Sequence, residues 1–121
     1  MTKVQNNKHY DLEERTYKFA EKCKDFIKKI PRSVSNNEYS KQLIRSSGSV
    51  AANYIEANES LSRKDFFHRI KICRKETKES RLWIKLCDVN ENESLDREQE
   101  KLLGEGVELT RIFGAIVEKG K

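Results

Sequence analysis

Few residues of this sequence have types and spacings that could support catalysis. Asp65-x-x-His68 has the spacing of the Glu-x-x-His elements of di-iron helical bundles. That chemistry needs two such elements and carboxylates from two further helices, all pointing inward. The only other histidine is His9, near the N-terminus. Glu76 and Glu79 lie one helical turn apart, but the lysines around them favour ordinary ion pairing over acid–base work.

The remaining signatures of enzymes are missing from the sequence. It has no nucleophile elbow, phosphate-binding loop, dinucleotide fingerprint or Cys/His ligand set. Cys23, Cys73 and Cys87 are odd in number and include no close pair, which argues against a disulfide framework and a zinc site. Each occupies an apolar helical position, so we interpret them as reduced core residues of a cytoplasmic protein. The sequence thus predicts no enzymatic activity, no metal and no cofactor.

The strongest chemical feature is a local excess of positive charge. The segment Ser62–Cys87 contains nine Lys or Arg and three acids, a formal charge of +6, whereas the whole chain carries +5. The basicity of the protein is therefore concentrated in one segment. A positive surface of this kind selects anionic partners.

The elements that must position this segment are helices. One Pro and five Gly in 121 residues are too few for an all-β protein. Apolar residues recur at helical spacing in four stretches, which predicts helices over about 12–30, 37–58, 63–88 and 95–118. Joined by short links, they predict an all-α, antiparallel up-down-up-down four-helix bundle. We expect residues 1–10 to be a flexible tail, residues 11–119 to form a single domain, and no membrane or secretory segment.

Polar residues before each stretch predict the helix starts. Asp11, Ser62 and Ser94 are expected N-caps, and either Ser35 or Asn36 is expected to cap the second helix. Gly48 lies inside the second helix, where glycine costs about 1 kcal/mol relative to alanine, so we expect a packing reason for it. The apolar and small residues of that helix cover a wider arc than one buried face needs.

The third predicted helix has three different faces when its residues are placed at 100° intervals. The core face contains Phe66, Ile70, Cys73, Thr77, Ser80, Trp83, Ile84 and Cys87. A second face, which we call the basic stripe, contains Arg63, Lys64, Lys71, Arg74, Lys75, Lys78, Arg81 and Lys85. Away from the core, a smaller apolar strip contains Ile72, Leu82 and Leu86.

Three interpretations of the basic stripe remain open at this point. It is a nucleic-acid-binding surface for RNA or DNA, a docking site for an acidic protein partner, or an ordinary solvated face. Neighbouring like charges repel by a few tenths of a kcal/mol per pair, although Glu76 and Glu79 offset part of this locally. We favour nucleic acid, because a helix of this length can follow several phosphates; Phe67, inside the stripe, is a candidate for contact with a base or a neighbouring helix.

The smaller apolar strip has two interpretations. Scattered exposed apolar residues are normal on protein surfaces. Together with the wide apolar arc of the second helix, which includes Tyr54, the strip instead indicates a subunit interface. We therefore predict a homo-oligomer that uses Ile72, Leu82, Leu86 and Tyr54.

The sequence resembles the bacterial four-helix-bundle family of 23S rRNA intervening-sequence proteins, called the S23 family, and the related accessory variability determinant of diversity-generating retroelements. The resemblance is carried by Arg45-Ser46-Ser47, Val50-x-x-Asn53-x-x-Glu56, Ser62-Arg63-Lys64-Asp65-Phe66, Ile70-x-Ile72-Cys73 and Glu79. It departs from the family pattern at Ala57, where Gly is common, and at Lys75-Glu76, where Gly-Ser is common.

The resemblance implies a homopentameric barrel of four-helix bundles with a basic surface and no known catalysis. For the retroelement branch it implies binding to a reverse transcriptase and to nucleic acid. Within the matching motif, Asn53 and Glu56 are either a functional polar pair or, as we favour, a hydrogen-bonded pair that fixes helix register. Glu79 is grouped with them as a structural polar residue.

Overall fold

The computed structural model describes residues 11–121, and these residues form four α-helices and no strand. The helices are α1 (Leu12–Lys29), α2 (Val34–Asn58), α3 (Arg63–Leu86) and α4 (Glu93–Lys119). The predicted all-α class and the four-helix count are confirmed. The predicted tail at residues 1–10, which includes His9, lies outside the described residues.

Two of the four helix starts agree with the predicted caps. The Asp11 carboxylate accepts a hydrogen bond from the backbone N–H of Glu14 at 3.2 Å. The Ser62 hydroxyl accepts one from the backbone N–H of Asp65 at 3.1 Å, so the basic segment begins its helix where predicted. Both contacts satisfy one of the N–H groups that the first helical turn leaves without a partner.

The predicted caps of α2 and α4 are wrong. Ser33, with extended backbone dihedrals, caps α2 by accepting from the N–H of Asn36 at 3.0 Å. Asn92 caps α4 by accepting from the N–H of Leu95 at 3.0 Å. Each helix therefore starts two or three residues earlier than predicted. Several Ser and Asn residues lie around each of these helix starts, and residue type alone does not select among them.

The third helix is shorter at its C-terminal end than predicted, because Cys87 is its C-cap in an extended conformation. The side-chain amide of Gln99, from α4, donates to the carbonyl oxygens of Ile84 and Cys87, both at 2.9 Å. These contacts satisfy carbonyl groups that the end of a helix leaves free. The C-terminal end of the basic segment is therefore tied to α4.

Each helix packs against its two neighbours in the order α1, α2, α3, α4 and back to α1. In the side-chain contacts between neighbouring helices, residue numbers rise along one helix as they fall along the other. The helix pairs with such contacts are therefore antiparallel, which agrees with the predicted up-down-up-down arrangement. The contacts are Ser46 with Ser80 and Asn53 with Arg69 between α2 and α3, Gln99 with Ile84 and Thr110 with Arg81 between α3 and α4, and Arg15 with Glu105 and Lys29 with Glu98 between α1 and α4.

The core is built from one apolar face of every helix. The largest apolar side chains that are fully buried are Phe19, Phe26, Leu43, Val50, Ile70, Ile84, Leu109 and Phe113. Burying each such side chain contributes roughly 1.5–3 kcal/mol. On α3 the buried residues are Ile70, Cys73, Glu76, Thr77, Ser80 and Ile84, so most of the predicted core face packs inward and turns the basic stripe away from the core.

Gly48 does not have the packing role that we expected from the sequence. It is exposed, and a Cβ atom added at this position would meet no atom within 4 Å. The helix α4 runs without interruption through Gly104, Gly106 and Gly114. Of these three glycines, only Gly106 is in close contact with another side chain, that of Arg81.

The three cysteines are free and buried, as predicted. Burial raises the pKa of Cys23 and Cys73 to about 12 and that of Cys87 to about 11. The folded state therefore keeps the thiols protonated at pH values where an unfolded chain, with thiol pKa values near 8.5, releases these protons.

We expect the free energy of unfolding to fall as the pH rises above about 8.5, because the unfolded state then binds fewer protons than the folded state. Urea denaturation at pH 7, 8.5 and 9.5 measures this slope. Replacing Cys23 with Ala removes one of the three thiols and should flatten it. A free energy of unfolding that rises over this pH range would contradict the expected thiol linkage.

Candidate nucleic-acid interface

The basic stripe lies on the outward surface of α3, between the sides that face α2 and α4. Its eight side chains were predicted from helical angles, and none of them is buried. Arg63, Lys64, Lys71, Lys75, Lys78 and Lys85 are exposed, and Arg74 and Arg81 are half-buried. From Arg63 to Lys85 the stripe is about 33 Å long at 1.5 Å per residue. It therefore forms a single continuous row of positive charge.

The two glutamates that were expected to offset the lysines of the stripe both contact α2, and Glu76 also lies near Lys75. One guanidinium nitrogen of Arg45, in α2, lies 3.2 Å from a carboxylate oxygen of Glu76 and 3.2 Å from one of Glu79. Lys75 is the one stripe residue with a carboxylate within 4.0 Å in the described part of the chain, that of Glu76 at 3.9 Å. Within residues 11–121, the other seven stripe residues have no carboxylate within 4.0 Å.

At its N-terminal end the stripe includes an aromatic side chain. The guanidinium carbon of Arg63 lies 4.8 Å from the centre of the Phe67 ring, a cation–π contact. Phe67 also meets the edge of Phe66, with ring centres 5.1 Å apart, and packs against Gly120 at the end of α4. The ring is half-buried and Arg63 occupies one side of it. Phe67 therefore contacts a neighbouring helix end, one of the two roles considered for it.

At its C-terminal end the stripe borders α4 and encloses apolar residues. A shallow groove between the two helices is lined by Lys78, Arg81, Leu82, Lys85, Leu103 and Val107. Leu82 also lines a second depression with Lys71, Arg74, Lys75, Lys78 and Glu79. Leu82 therefore lies among the basic residues and does not belong to a separate strip.

The other predicted interface residues are not grouped together. Leu86 is 41% exposed and Ile72 is half-buried. Tyr54 packs on the core, with its ring centre 6.3 Å from that of Phe113. Burial is the main cause of a raised pKa of its hydroxyl. Tyr54 thus contributes mainly to the interior of the bundle.

The predicted pair of Asn53 and Glu56 is also rearranged. Asn53 bonds within α2 to Ser49, and its side-chain oxygen accepts from a guanidinium nitrogen of Arg69, in α3, at 2.8 Å. The side chain of Glu56 is exposed and makes no hydrogen bond to a residue of 11–121. Asn53 therefore fixes the register between α2 and α3 through Arg69. A side-chain oxygen of Glu79 accepts a hydrogen bond from Arg45, in α2, at 3.2 Å.

The Asp65-x-x-His68 element is not part of a metal-binding cluster in the described residues. Asp65 and His68 are both exposed, and residues 11–121 contain no group of three or more His, Cys, Asp or Glu placed to hold a metal ion. No helix in the same part of the chain is both long enough and apolar enough to cross a membrane. A cavity of about 650 Å³ lies between α1 and α4, where Arg15 pairs with Glu105 at 2.7 Å.

Comparisons with known proteins agree with the resemblance in the sequence. A family model described as 23S rRNA-intervening sequence protein matches residues 8–115. A crystal structure of a protein of unknown function from the S23 ribosomal protein family of Bacteroides thetaiotaomicron superposes with a TM-score of 0.72 at 25% identity, over 87% of this chain and 96% of that one. No curated protein matches the chain, and nothing in these matches suggests catalysis. Because the family model spans most of the sequence, the chain belongs to the 23S rRNA-intervening sequence protein family.

Proposed function

We propose that this protein is a non-enzymatic, homo-oligomeric nucleic-acid-binding protein that contacts RNA or DNA through the basic stripe of α3. One observation supports the proposal most directly. Seven of the eight stripe residues have no carboxylate within 4.0 Å in the described part of the chain, while Glu76 and Glu79 are engaged by Arg45. A row of unpaired like charges destabilises a helix slightly, and an anionic ligand offsets that cost.

The packing of α3 favours contacts to phosphates over contacts to bases. Because α3 packs against both α2 and α4, its outer face is the side left for a ligand, and this face carries the basic stripe. Lysine presents a point charge on a flexible stem, which suits phosphates at varied positions. Binding is therefore expected to be independent of sequence.

A salt titration tests the nucleic-acid proposal. The probe is a fluorescently labelled single-stranded RNA of 30 nucleotides, with a duplex of the same sequence in parallel. Eight phosphate contacts predict that affinity for the single strand falls about 2,000-fold between 50 and 200 mM salt, from a logarithmic slope of about −0.7 per contact. Absence of binding by either probe at 50 mM salt would remove the proposal.

A second candidate function, docking of an acidic protein such as a reverse-transcriptase-type enzyme, is favoured by the apolar residues of the α3–α4 groove. Leu82 is 47% exposed and lies with Leu103 and Val107 between three cations. A phosphate group does not bind more tightly for contacting these apolar residues, whereas an apolar side chain of a protein partner is stabilised by burial against them. Replacing Leu82 with Gln separates the two functions: RNA affinity and its salt slope should stay unchanged if the stripe binds phosphates alone.

Assembly into an oligomer is supported by exposed apolar residues on the outside of α2. Ile44 and Ile55 are 49% and 47% exposed, and they share this side of α2 with exposed Gly48 and Ala52. The small residues allow another helix to approach closely. This surface is part of the wide apolar arc that the sequence predicted for α2, and it includes no residue of the basic stripe.

We expect a double replacement, Ile44→Asp with Ile55→Asp, to convert the assembly into monomers. The buried apolar contact is lost and two charges are left at the interface. Sedimentation velocity at several concentrations measures the mass, with Leu61→Asp, at a residue 99% exposed in the α2–α3 turn, as the matched control. If the unaltered protein is a monomer at every concentration, the proposed oligomer is contradicted. If it is an oligomer, the measured mass gives the number of subunits, which is five by resemblance.

A further inference from the structure

Arg81 differs from the other residues of the basic stripe because its stem lies in a slot on α4. A Cβ atom built on Gly106 would lie 2.6 Å from Cγ and 3.3 Å from Cδ of Arg81, and the first distance is shorter than real Cβ contacts allow. None of the glycines described in the structure has a positive φ, so the backbone of α4 does not require glycine here. The side chain of Arg81 does.

The guanidinium of Arg81 is held by the next turn of α4. Its Nη1 donates to the hydroxyl oxygen of Thr110 at 3.3 Å. That hydroxyl gives its own hydrogen to the carbonyl oxygen of Gly106 at 2.7 Å. With its hydrogen engaged, the Thr110 oxygen can only accept from Arg81. Gly106 and Thr110 therefore fix the two ends of one side chain.

The other stripe residues lack such an arrangement. A Cβ at Gly114 would only touch Arg74, at 3.9 Å, which is an ordinary contact. Within residues 11–121, Lys71, Lys78 and Lys85 make no side-chain hydrogen bond. Within residues 11–121, Arg81 is thus the stripe residue that combines a close stem contact with a glycine of α4 and a side-chain hydrogen bond to α4, whereas the head group of Arg63 stacks on Phe67 within α3.

We propose that Gly106 and Thr110 are positioning residues that hold Arg81 as the ordered anchor of the stripe. This inference rests on the proposed nucleic-acid function. A guanidinium has five N–H donors and one is used by Thr110, so others remain for a phosphate in a bidentate contact. Because the side chain is already ordered, it loses less conformational entropy on binding than a free lysine does.

The test replaces the two positioning residues without altering any charge. The probe is the labelled 30-nucleotide single-stranded RNA at 100 mM salt. We expect Gly106→Ala to weaken binding about five- to tenfold, since displacing Arg81 removes one contact, and to reduce the salt slope by about 0.7. Thr110→Val should weaken binding about threefold. Gly104→Ala is the matched control, because a Cβ at Gly104 meets no atom within 4 Å and Gly104 faces the α1–α4 cavity.

A second background separates positioning from a general effect on the fold. When Arg81 is replaced with Gln, adding Gly106→Ala or Thr110→Val should change RNA affinity no further. The inference would be overturned if either replacement weakened RNA binding in the Arg81→Gln background as much as it does in the unaltered protein. It would also be overturned if Gly106→Ala and Thr110→Val had the same RNA affinity and salt slope as Gly104→Ala. If the unaltered protein binds no RNA, the proposed function is wrong, but the ordering of Arg81 can still be tested by NMR relaxation of its Nε–Hε group. Thr110→Val should increase the motion of this group, and unchanged motion would overturn the inference.

Discussion

Replacing Lys71, Lys78 and Lys85 together with Glu is expected to weaken the binding of single-stranded RNA by at least about 100-fold near 100 mM salt. The three lysines are exposed and none has a carboxylate within 4.0 Å in residues 11–121. Each change removes a phosphate contact and adds a charge that repels the backbone. With five contacts left, the loss of affinity between 50 and 200 mM salt should shrink from about 2,000-fold to about 100-fold.

These three lysines are better targets than the arginines of the stripe. Arg74 and Arg81 are half-buried, and Arg81 packs on Gly106, so changing either affects the α3–α4 contact. Reversing three unpaired exposed lysines relieves repulsion along α3 and should leave the fold as stable as before. Loss of RNA binding in this variant can then be attributed to the altered surface. Thermal unfolding followed by circular dichroism checks that the fold is as stable as in the unaltered protein.

The control carries the same change of net charge on another surface. Lys22, Lys24 and Lys28 of α1 are exposed and take part in no ion pair among the described residues. Their triple replacement with Glu should weaken RNA binding by only a few fold, because it lowers long-range attraction without removing contacts. Equal losses in both triple variants would mean that net charge, and not the α3 surface, governs binding.

The faces of α3 were predictable because they follow from spacing within one helix. The residues predicted for the core face, from Ile70 to Ile84, pack inward, and the eight basic residues all reach the surface. The ion pairs were not predictable, because Glu76 and Glu79 meet Arg45 only after α2 and α3 settle into register. The sequence suggested nearby lysines as their partners, and of these Lys75 lies within 4.0 Å of Glu76.

The packing roles of the helical glycines also could not be predicted from the sequence. Gly48 and Gly106 both lie inside helices, and the sequence suggested a packing role only for the first. The structure shows open space at Gly48 and a close contact with Arg81 at Gly106. Whether a side chain packs against a glycine depends on the neighbouring helix. The periodicity of residues within one helix does not reveal this contact.

Asn36 is the clearest residue that sequence reasoning misjudged. It was considered only as a cap of α2, but it is 2% exposed and lies in the first turn of that helix. Its side-chain nitrogen donates to the carbonyl oxygens of Pro31 at 2.8 Å and Asp88 at 2.9 Å, and its side-chain oxygen accepts from the N–H of Asp88 at 2.9 Å. One amide therefore joins the α1–α2 connection to the residue that follows the C-cap of α3.

Replacing Asn36 with Ala is expected to lower the free energy of unfolding by about 3 kcal/mol, because three backbone groups lose their partner and each unsatisfied group costs about 1–3 kcal/mol. That is a large part of the ~5–15 kcal/mol that stabilises a typical domain. Urea denaturation measures it, with Asn37→Ala as the matched control, since Asn37 is the exposed next residue and should change stability by less than about 0.5 kcal/mol.

Replacing Asn36 with Asp sharpens the same test by keeping the shape of the side chain. The carboxylate can still accept from the N–H of Asp88, but it places a negative charge against the carbonyl oxygens of Pro31 and Asp88, which the amide nitrogen used to meet. We expect a loss at pH 7 at least as large as that of the alanine variant, because repulsion replaces two hydrogen bonds. If both variants are as stable as Asn37→Ala, the amide bridge contributes nothing, and packing alone holds the end of α3 against the start of α2.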